Sequence, residues 1–402
     1  MFGHAGRMPI PYWLPILLGL VSAVGPVATD MYLPAFPAIE AALGSGPGSA
    51  QITLAAWFAG LAVGQITQGT LADRFGRRMP LILGMALFTL ASGGCAVSTS
   101  LTTFSLLRAL SAFGGAAGMV ISRAVVRDLT EGIASARLMS RLMLIMGAGP
   151  ILAPSLGGVV LAAFGWQAIF WTNAIYGAIC TVWAAIALPE TQKAHMRVKV
   201  TAGGFAARAV TILSERQFIT NTLMSGSAMF AMFAFLAGSP GVFIEHFHLS
   251  PRVYAALFGA GAFGMIAGSQ INPRILPRFG ADRILFCSTR TFLLGTVLLV
   301  LMAFVGPDVW LAIGLPILLS FSTQGFTNQN AVVGAMTKHA AHAGSASALF
   351  GTLTFTMASV SATLSGVLAD GTPRPMALMM LTGAAGTSVF DWLRRRIVKL
   401  AA

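Results

Sequence analysis

Twelve apolar runs, each long enough to cross a bilayer, constrain this chain more than any other feature. A transmembrane helix needs about 20 apolar residues, and a window of that length finds runs at 13–37, 51–72, 79–97, 101–126, 138–163 and 167–188, then at 218–243, 252–276, 284–305, 309–336, 343–369 and 374–393. Composition agrees. Only 9% of the 402 residues are charged and 56% are hydrophobic, whereas a soluble domain carries about 25% charge. Such a chain cannot cover its own surface in water, so an all-α membrane protein of twelve transmembrane helices is expected. Its 45 glycines suit close helix packing inside lipid. Several runs exceed the length needed to cross, which predicts tilted or kinked helices.

Charge predicts orientation. Of the 25 Lys and Arg, 22 lie in or beside the N-terminus, the even-to-odd connections and the C-terminal RRRIVK, and only Arg252 and Arg374 fall near the opposite loops. The positive-inside rule then puts both termini in the cytoplasm. The net charge of +13 faces anionic lipid rather than nucleic acid. A cleaved signal peptide at the N-terminus is not expected, because its apolar run is long and continues as membrane domain. Cys95, Cys180 and Cys287 lie in apolar runs without metal or disulfide spacing.

The longest polar stretch, 189–217, divides six spans from six, giving halves at 1–188 and 218–402. Within it, Phe205, Ala209, Ile212 and Leu213 recur at helical spacing opposite Arg208 and Arg216, which suits either an amphipathic surface helix or a flexible linker. A faint repeat supports the division. GQITQGTLADRFGRR, after the second span, aligns with GSQINPRILPRFGADR, after the eighth, at an offset of 204 residues. Duplicated six-helix units are typical of secondary transporters, whose site lies between the halves.

The stretch from Gly64 to Arg78, which includes Gly69, combines a helix end, a turn at Gly76 and the charges Asp73, Arg74, Arg77 and Arg78. Asp73 is expected either to pair with a nearby arginine or to sit at the positive N-terminus of another helix. Arg127 and Asp128 are expected to join it and Arg77 in an ionic latch that can be made and broken. Plain surface charge is the other reading.

This G-x-x-x-D-R-x-G-R-R run resembles the signature loop of the major facilitator superfamily, and implies that superfamily's fold. LLRALSAFGGAAG resembles its motif with an intramembrane arginine, here Arg108. GAGPILAPSLGG is similar to the motif of its proton-driven exporters, departing at Ala153, where glycine is usual. Physically, Gly147, Gly149, Gly157 and Gly158 make a flat packing surface, while Pro150 and Pro154 favour a kink. More narrowly, TDMYLPAFPAI, SRAVVRDL, GWQAIFW, NQN and GSASALFG resemble the Bcr/CflA drug:proton antiporters of bacterial inner membranes. That likeness implies export of small drugs of the chloramphenicol, florfenicol, bicyclomycin or sulfonamide type. It also implies the proton gradient as energy source, no cofactor, and a monomer.

Asp30 is the one acidic residue well inside a span. An ionised carboxylate at mid-bilayer costs roughly 2.5–3.5 kcal/mol, so it should face the bundle interior. Burial favours the neutral form of a carboxyl and a nearby cation the ionised form, which suits a proton carrier; a permanent structural ion pair is the alternative. Arg108 is its expected partner. Arg123 and Arg127 stand about 22 and 28 Å further along a straight helix. The expected drug lining is Tyr32, Trp57, Phe58, Phe230 and Phe233, with Gln324 and Asn328 sharing one face at i,i+4. With one acid and one arginine, neutral or weakly polar drugs should be favoured over dications. EHFH at 245–248 and the pair His339/His342 lack further ligands for a metal. An enzyme would need an activated nucleophile or metal cluster at membrane depth, and none is legible. A proton-coupled nutrient importer remains the runner-up.

Overall fold

The computed structural model describes residues 11–44, 46, 48–130, 132–192, 202–339 and 343–401. The first span forms α1 (Trp13–Asp30), a 3₁₀ turn (Leu33–Ala35) and α2 (Phe36–Ala42). The next five are α3 (Ser49–Phe75), α4 (Arg78–Ala96), α5 (Leu101–Leu129), α6 (Gly132–Phe164) and α7 (Trp166–Ala187). A short helix, α8 (Ala202–Ser214), precedes α9 (Arg216–Pro240), which continues as a π-helical turn (Gly241–His246). Then follow α10 (Pro251–Val305), α11 (Trp310–Met336), α12 (Ala343–Val367) and α13 (Arg374–Ala401).

Among the described residues, ten helices are long and apolar enough to cross a membrane. The expected eighth and ninth spans run together in α10, which breaks at Gly280, where φ is 72°. The α3–α4 turn is made by Gly76 at φ 91°. Both glycines close an RFG triplet, so the sequence repeat is also a repeat of backbone geometry. A Cβ in that region costs roughly 1–2 kcal/mol, which is why both turns carry glycine. Counting α10 twice and adding α6 gives the twelve-helix bundle of two six-helix halves. Phe164 and Ile186 are 77% and 80% exposed on its flank; apolar groups at that exposure belong against lipid.

The halves meet along α3 and α12. Small residues set the distance: a Cβ on Gly48 would stand 2.4 Å from the Gly366 carbonyl oxygen. Hydroxyls then cross the seam, Ser359 donating to the Ala55 carbonyl at 2.9 Å and Thr352 to the Ala62 carbonyl at 2.9 Å. Interhelical bonds of this kind average about 0.6 kcal/mol. Phe58 of α3 packs on Phe233 of α9, ring centroids 4.0 Å apart, and on Phe355 of α12. Towards the end that carries the α3–α4 turn, hereafter the basic face, the halves part around a cavity of about 250 Å³. The bundle is thus sealed at its opposite end and through its middle, and open at the basic face.

Candidate transport site

Helix α1 stops at Asp30 for a local reason. Pro34 and Pro37 have no N–H to give to the carbonyls of Asp30 and Leu33, so the α-helical ladder cannot continue. The chain tightens into its 3₁₀ turn and restarts at Phe36. Asp30 is buried, and its carboxyl faces a water-sized void of about 20 Å³. Every other wall of that void comes from the second half: Met232 and Phe235 of α9, Leu257 and Phe258 of α10, Phe321 of α11. The acid of the first half is therefore held against an apolar socket of the second. No described residue pairs with it. Tyr254, buried and bonded to Ser239 at 2.9 Å, lies within electrostatic reach.

The expected Asp30–Arg108 pair is not made. The α1 face that meets α5 carries Val21, Val24 and Ala28: Val21 stands against Gly118, Val24 against Gly115, and the Ala28 carbonyl accepts from Arg108 Nη1 at 3.2 Å. Asp30, two residues beyond Ala28, is turned about 200° away. Arg108 instead stacks on aromatic rings, 4.2 Å from the Tyr32 centroid, 4.3 Å from Trp57 and 5.7 Å from Phe170. Cation–π contacts in a desolvated site are worth up to about 2 kcal/mol each, so the rings supply what a carboxylate does not. Its Nε and Nη2 have no described partner.

The expected drug lining divides accordingly. Tyr32, bonded to Thr53 at 3.3 Å, and Trp57 belong to the arginine cage. Phe58 and Phe233 belong to the seam between the halves. Phe230 is half-buried nearby, its carbonyl accepting from Ser361. Gln324 donates to the Ala228 carbonyl at 3.2 Å, and Asn328 accepts from Ser225 at 2.7 Å. Both reach α9 from one face, while Gln329 and Asn330 turn to Asn272 of α10. Phe355, Phe235, Phe258 and Phe321 also line these surfaces, and nothing in the sequence separates them from lipid-facing aromatics.

The glycines of α6 pack on α1 at its break. A Cβ on Gly157 would lie 1.8 Å from the Met31 carbonyl oxygen, and one on Gly149 3.0 Å from Pro26 Cβ. Ala153 and Pro154 are buried, and Gly158 turns toward α10, lining a groove with Ser250 and Arg252. Helix α6 stays continuous through the proline positions; Gly147 and the ring of Pro150 lie outside the described residues.

At the basic face Arg77 bridges Asp73 at 2.6 Å and Asp128 at 2.9 Å. Burial works against its charge, but Asp128 and Asp73 outweigh that and raise its pKa above the ordinary arginine value. Thr191 adds a bond to Asp128 at 3.2 Å, and Gln192 one to the Asp73 carbonyl at 3.4 Å. Glu190 accepts from the backbone N–H groups of Arg77 at 2.8 Å and Arg78 at 3.2 Å. A carboxylate thus caps α4, where the helix dipole favours negative charge. Residues 190–192 fall within the expected linker, where the mark of this cap is an acid just beyond the end of α7. Arg78 binds the Ala185 carbonyl at 2.6 Å, Arg74 is exposed over Phe75, and Gly69 faces Val120. Arg127 takes no part in these ion pairs and lines the cavity instead. In the second half Arg394 pairs with Asp282 at 2.5 Å and Asp391 at 3.1 Å. Asp282 and Arg394 stand at the 204-residue offset from Arg78 and Glu190, so the repeat carries the same two positions with their charges exchanged.

Among the described residues no three His, Cys, Asp or Glu side chains are grouped to hold a metal. His246 of the EHFH run pairs with Asp308 at 3.0 Å, His339 lies 3.6 Å from Glu215, and His342 is outside the described residues.

The sequence model described as Major Facilitator Superfamily matches residues 18–363. The chain is 34% identical over 389 residues to the uncharacterized MFS-type transporter YdgK of Bacillus subtilis, covering 96% of each chain. It is 27% identical over 366 residues to a bicyclomycin resistance protein homologue of Haemophilus influenzae, covering 91% of this chain and 92% of that one. It is 29% identical over 321 residues to a chloramphenicol resistance protein of Pseudomonas aeruginosa, covering 77% and 75%. Among solved structures, a bacterial homologue of the human lysosomal transporter Spinster superposes with a TM-score of 0.74 at 13% identity, covering 97% of this chain and 98% of that one. A D-xylose–proton symporter does so at 0.72 and 15% identity, covering 94% and 96%. These two likenesses concern the fold.

Proposed function

Because the chain belongs to the Major Facilitator Superfamily, and is accordingly a membrane transporter of small molecules rather than an enzyme, we propose that it exports small, mostly neutral or weakly polar drugs in exchange for protons. Chloramphenicol- and bicyclomycin-type compounds are the first candidates, supported by the names of two relatives; florfenicol and sulfonamides extend the class. In this reading residues 1–188 and 218–402 rock about the central site, with 189–217 as cytoplasmic linker. The basic face and both termini lie in the cytoplasm of a bacterial inner membrane. The transporter works as a monomer, without cofactor, on the proton gradient.

The observation that carries the coupling scheme is the position of Asp30 against the second half. A carboxyl facing apolar side chains is stable when neutral, and one facing water or a cation is stable when ionised. With the opposite end sealed, Asp30 holds a proton in the socket of α9, α10 and α11. Drug entering from the basic face separates Asp30 from that socket, the wetted carboxyl releases its proton inward, and the ionised acid no longer fits. The bundle then opens outward, drug leaves, and a proton from the outer side restores the neutral acid. Arg108 remains a fixed cation in its cage, and its two unpartnered nitrogens are donors for drug oxygens. A proton-motive force of ~150 mV supplies about 3.5 kcal/mol per proton, enough for a few-hundred-fold gradient of neutral drug.

Proteoliposomes test this with chloramphenicol and one monovalent cationic dye. Wild type should exchange protons for drug, and Asp30→Asn should bind without exchange. Exchange by the variant would remove Asp30 from the proton path. No response of wild type to either compound would favour the importer.

A further inference from the structure

The cavity at the basic face carries more positive charge than the latch consumes. Arg77 and Asp73 both line it, and with Asp128 they form a cluster of one positive and two negative charges. Arg123, Arg127 and Arg208 line it too, and none makes an ion pair among the described residues. Arg123 gives only its Nε, to the Met119 carbonyl at 3.0 Å. Arg123 and Arg127 stand at i,i+4 on α5, where like charges destabilise a helix, and Arg208 reaches the same space from α8. The opposite wall is the first turn of α12 at Gly344 and Ser345, where the positive end of the helix dipole favours an anion. Gln65, only 3% exposed, borders the cavity too, its amide end lying against Gly351 of α12.

From this convergence we infer that the cavity is a binding site for an oxyanion, a phosphate or carboxylate group, held between the two halves by Arg123, Arg127, Arg208 and the N-terminus of α12. Guanidinium forks match the paired oxygens of such groups. At about 250 Å³ the cavity falls below the roughly 300–1,000 Å³ of drug-sized pockets, so it takes a head group or small phosphate rather than the exported drug. Its ligand bridges α5, α8 and α12, and so ties the linker helix to both halves. The site stands whatever the exported substrate proves to be.

Thermal unfolding of the purified full chain in a neutral detergent tests it, with inorganic phosphate titrated at constant ionic strength against chloride. A second, phosphate-free arm compares micelles doped with phosphatidylglycerol or phosphatidylcholine. The melting temperature should rise saturably with phosphate or with phosphatidylglycerol, not with phosphatidylcholine. A response to phosphate identifies a soluble oxyanion, and a response to phosphatidylglycerol alone a lipid head group. Loss of one charge-assisted bond should weaken the half-saturation point about ten-fold in Arg127→Gln. Arg208→Gln, on a separate helix, should do the same should the first variant fail to fold. Arg283→Gln, an exposed cation of the second half outside the cavity, should bind as wild type does. The inference is overturned by no saturable rise in either arm, by wild-type binding in both cavity variants, or by equal weakening in Arg283→Gln.

Discussion

Gly157→Ala should damage transport out of proportion to its single methyl group. The added Cβ would lie 1.8 Å from the Met31 carbonyl oxygen and 3.1 Å from the Met31 Cα. A flexible side chain could swing aside, but this neighbour is backbone, at the break that presents Asp30 to the second half. Overpacking of this kind costs roughly 1–3 kcal/mol. The cost falls on the state in which α6 lies against the break, here the one sealed at the end opposite the basic face. If the other state separates these helices, the equilibrium moves by about 5- to 150-fold; if it does not, the same energy appears as lost stability. Drug-driven proton exchange in proteoliposomes and thermal unfolding in detergent read the two alternatives. Gly261→Ala is the matched control, since it borders the same Asp30 void but its nearest new contact is an ordinary 3.7 Å to Phe321. Exchange and stability both unchanged in Gly157→Ala, or equally lowered in Gly261→Ala, would refute the steric argument.

Two further outcomes are expected. Gly76→Ala should lower thermal stability by at least the 1–2 kcal/mol of its positive φ, because the methyl would also stand 2.2 Å from Glu190 Oε2; Gly69→Ala, 3.5 Å from Val120, should melt as wild type does. Glu215 predicts a pH effect. Burial pushes its carboxyl up, but the N–H groups of Phe218 and Gln217 and the Lys338 ammonium outweigh that and hold it below the ordinary 4.5. The folded state therefore binds this proton less readily than the unfolded chain, so the contribution is full above pH 4.5 and disappears as pH falls through the lowered value. Glu215→Ala should remove about 1 kcal/mol of capping near neutrality and flatten that acid limb of the melting curve.

The helices were legible because bilayer thickness acts on run length alone. Only α10 blurred, its two spans joined by a turn as tight as one glycine allows. The Gly76 turn and its partner at Gly280 could be read from RFG, since positive φ leaves a direct mark on residue choice. Asp30 could be singled out by the cost of its charge in lipid, but not its surroundings. Those depend on which face of α1 meets α5 and on how two halves, 200 residues apart in sequence, dock. Pairing it with Arg108 followed opposite charge, whereas the rotation between Ala28 and Asp30 decides the outcome. Glu190 escaped for a related reason: its partners are backbone N–H groups, which every sequence has.

The hydroxyls of Ser359 and Thr352 have somewhere to go when α3 and α12 separate. Serine and threonine in a helix can turn to the carbonyl four residues back, as Thr354 and Thr363 of the same helix already do, at 3.0 and 2.9 Å. The Ala55 and Ala62 carbonyls that accept across the seam sit inside α3, where the helix ladder still serves them once the visitor leaves. Parting the halves therefore strands neither donor nor acceptor in lipid. The seam works as a zipper whose teeth fold back into their own strip, so the sealed and parted forms differ little in polar energy. A machine that must open and reseal at every turnover is better served by that near-balance than by a stronger bond.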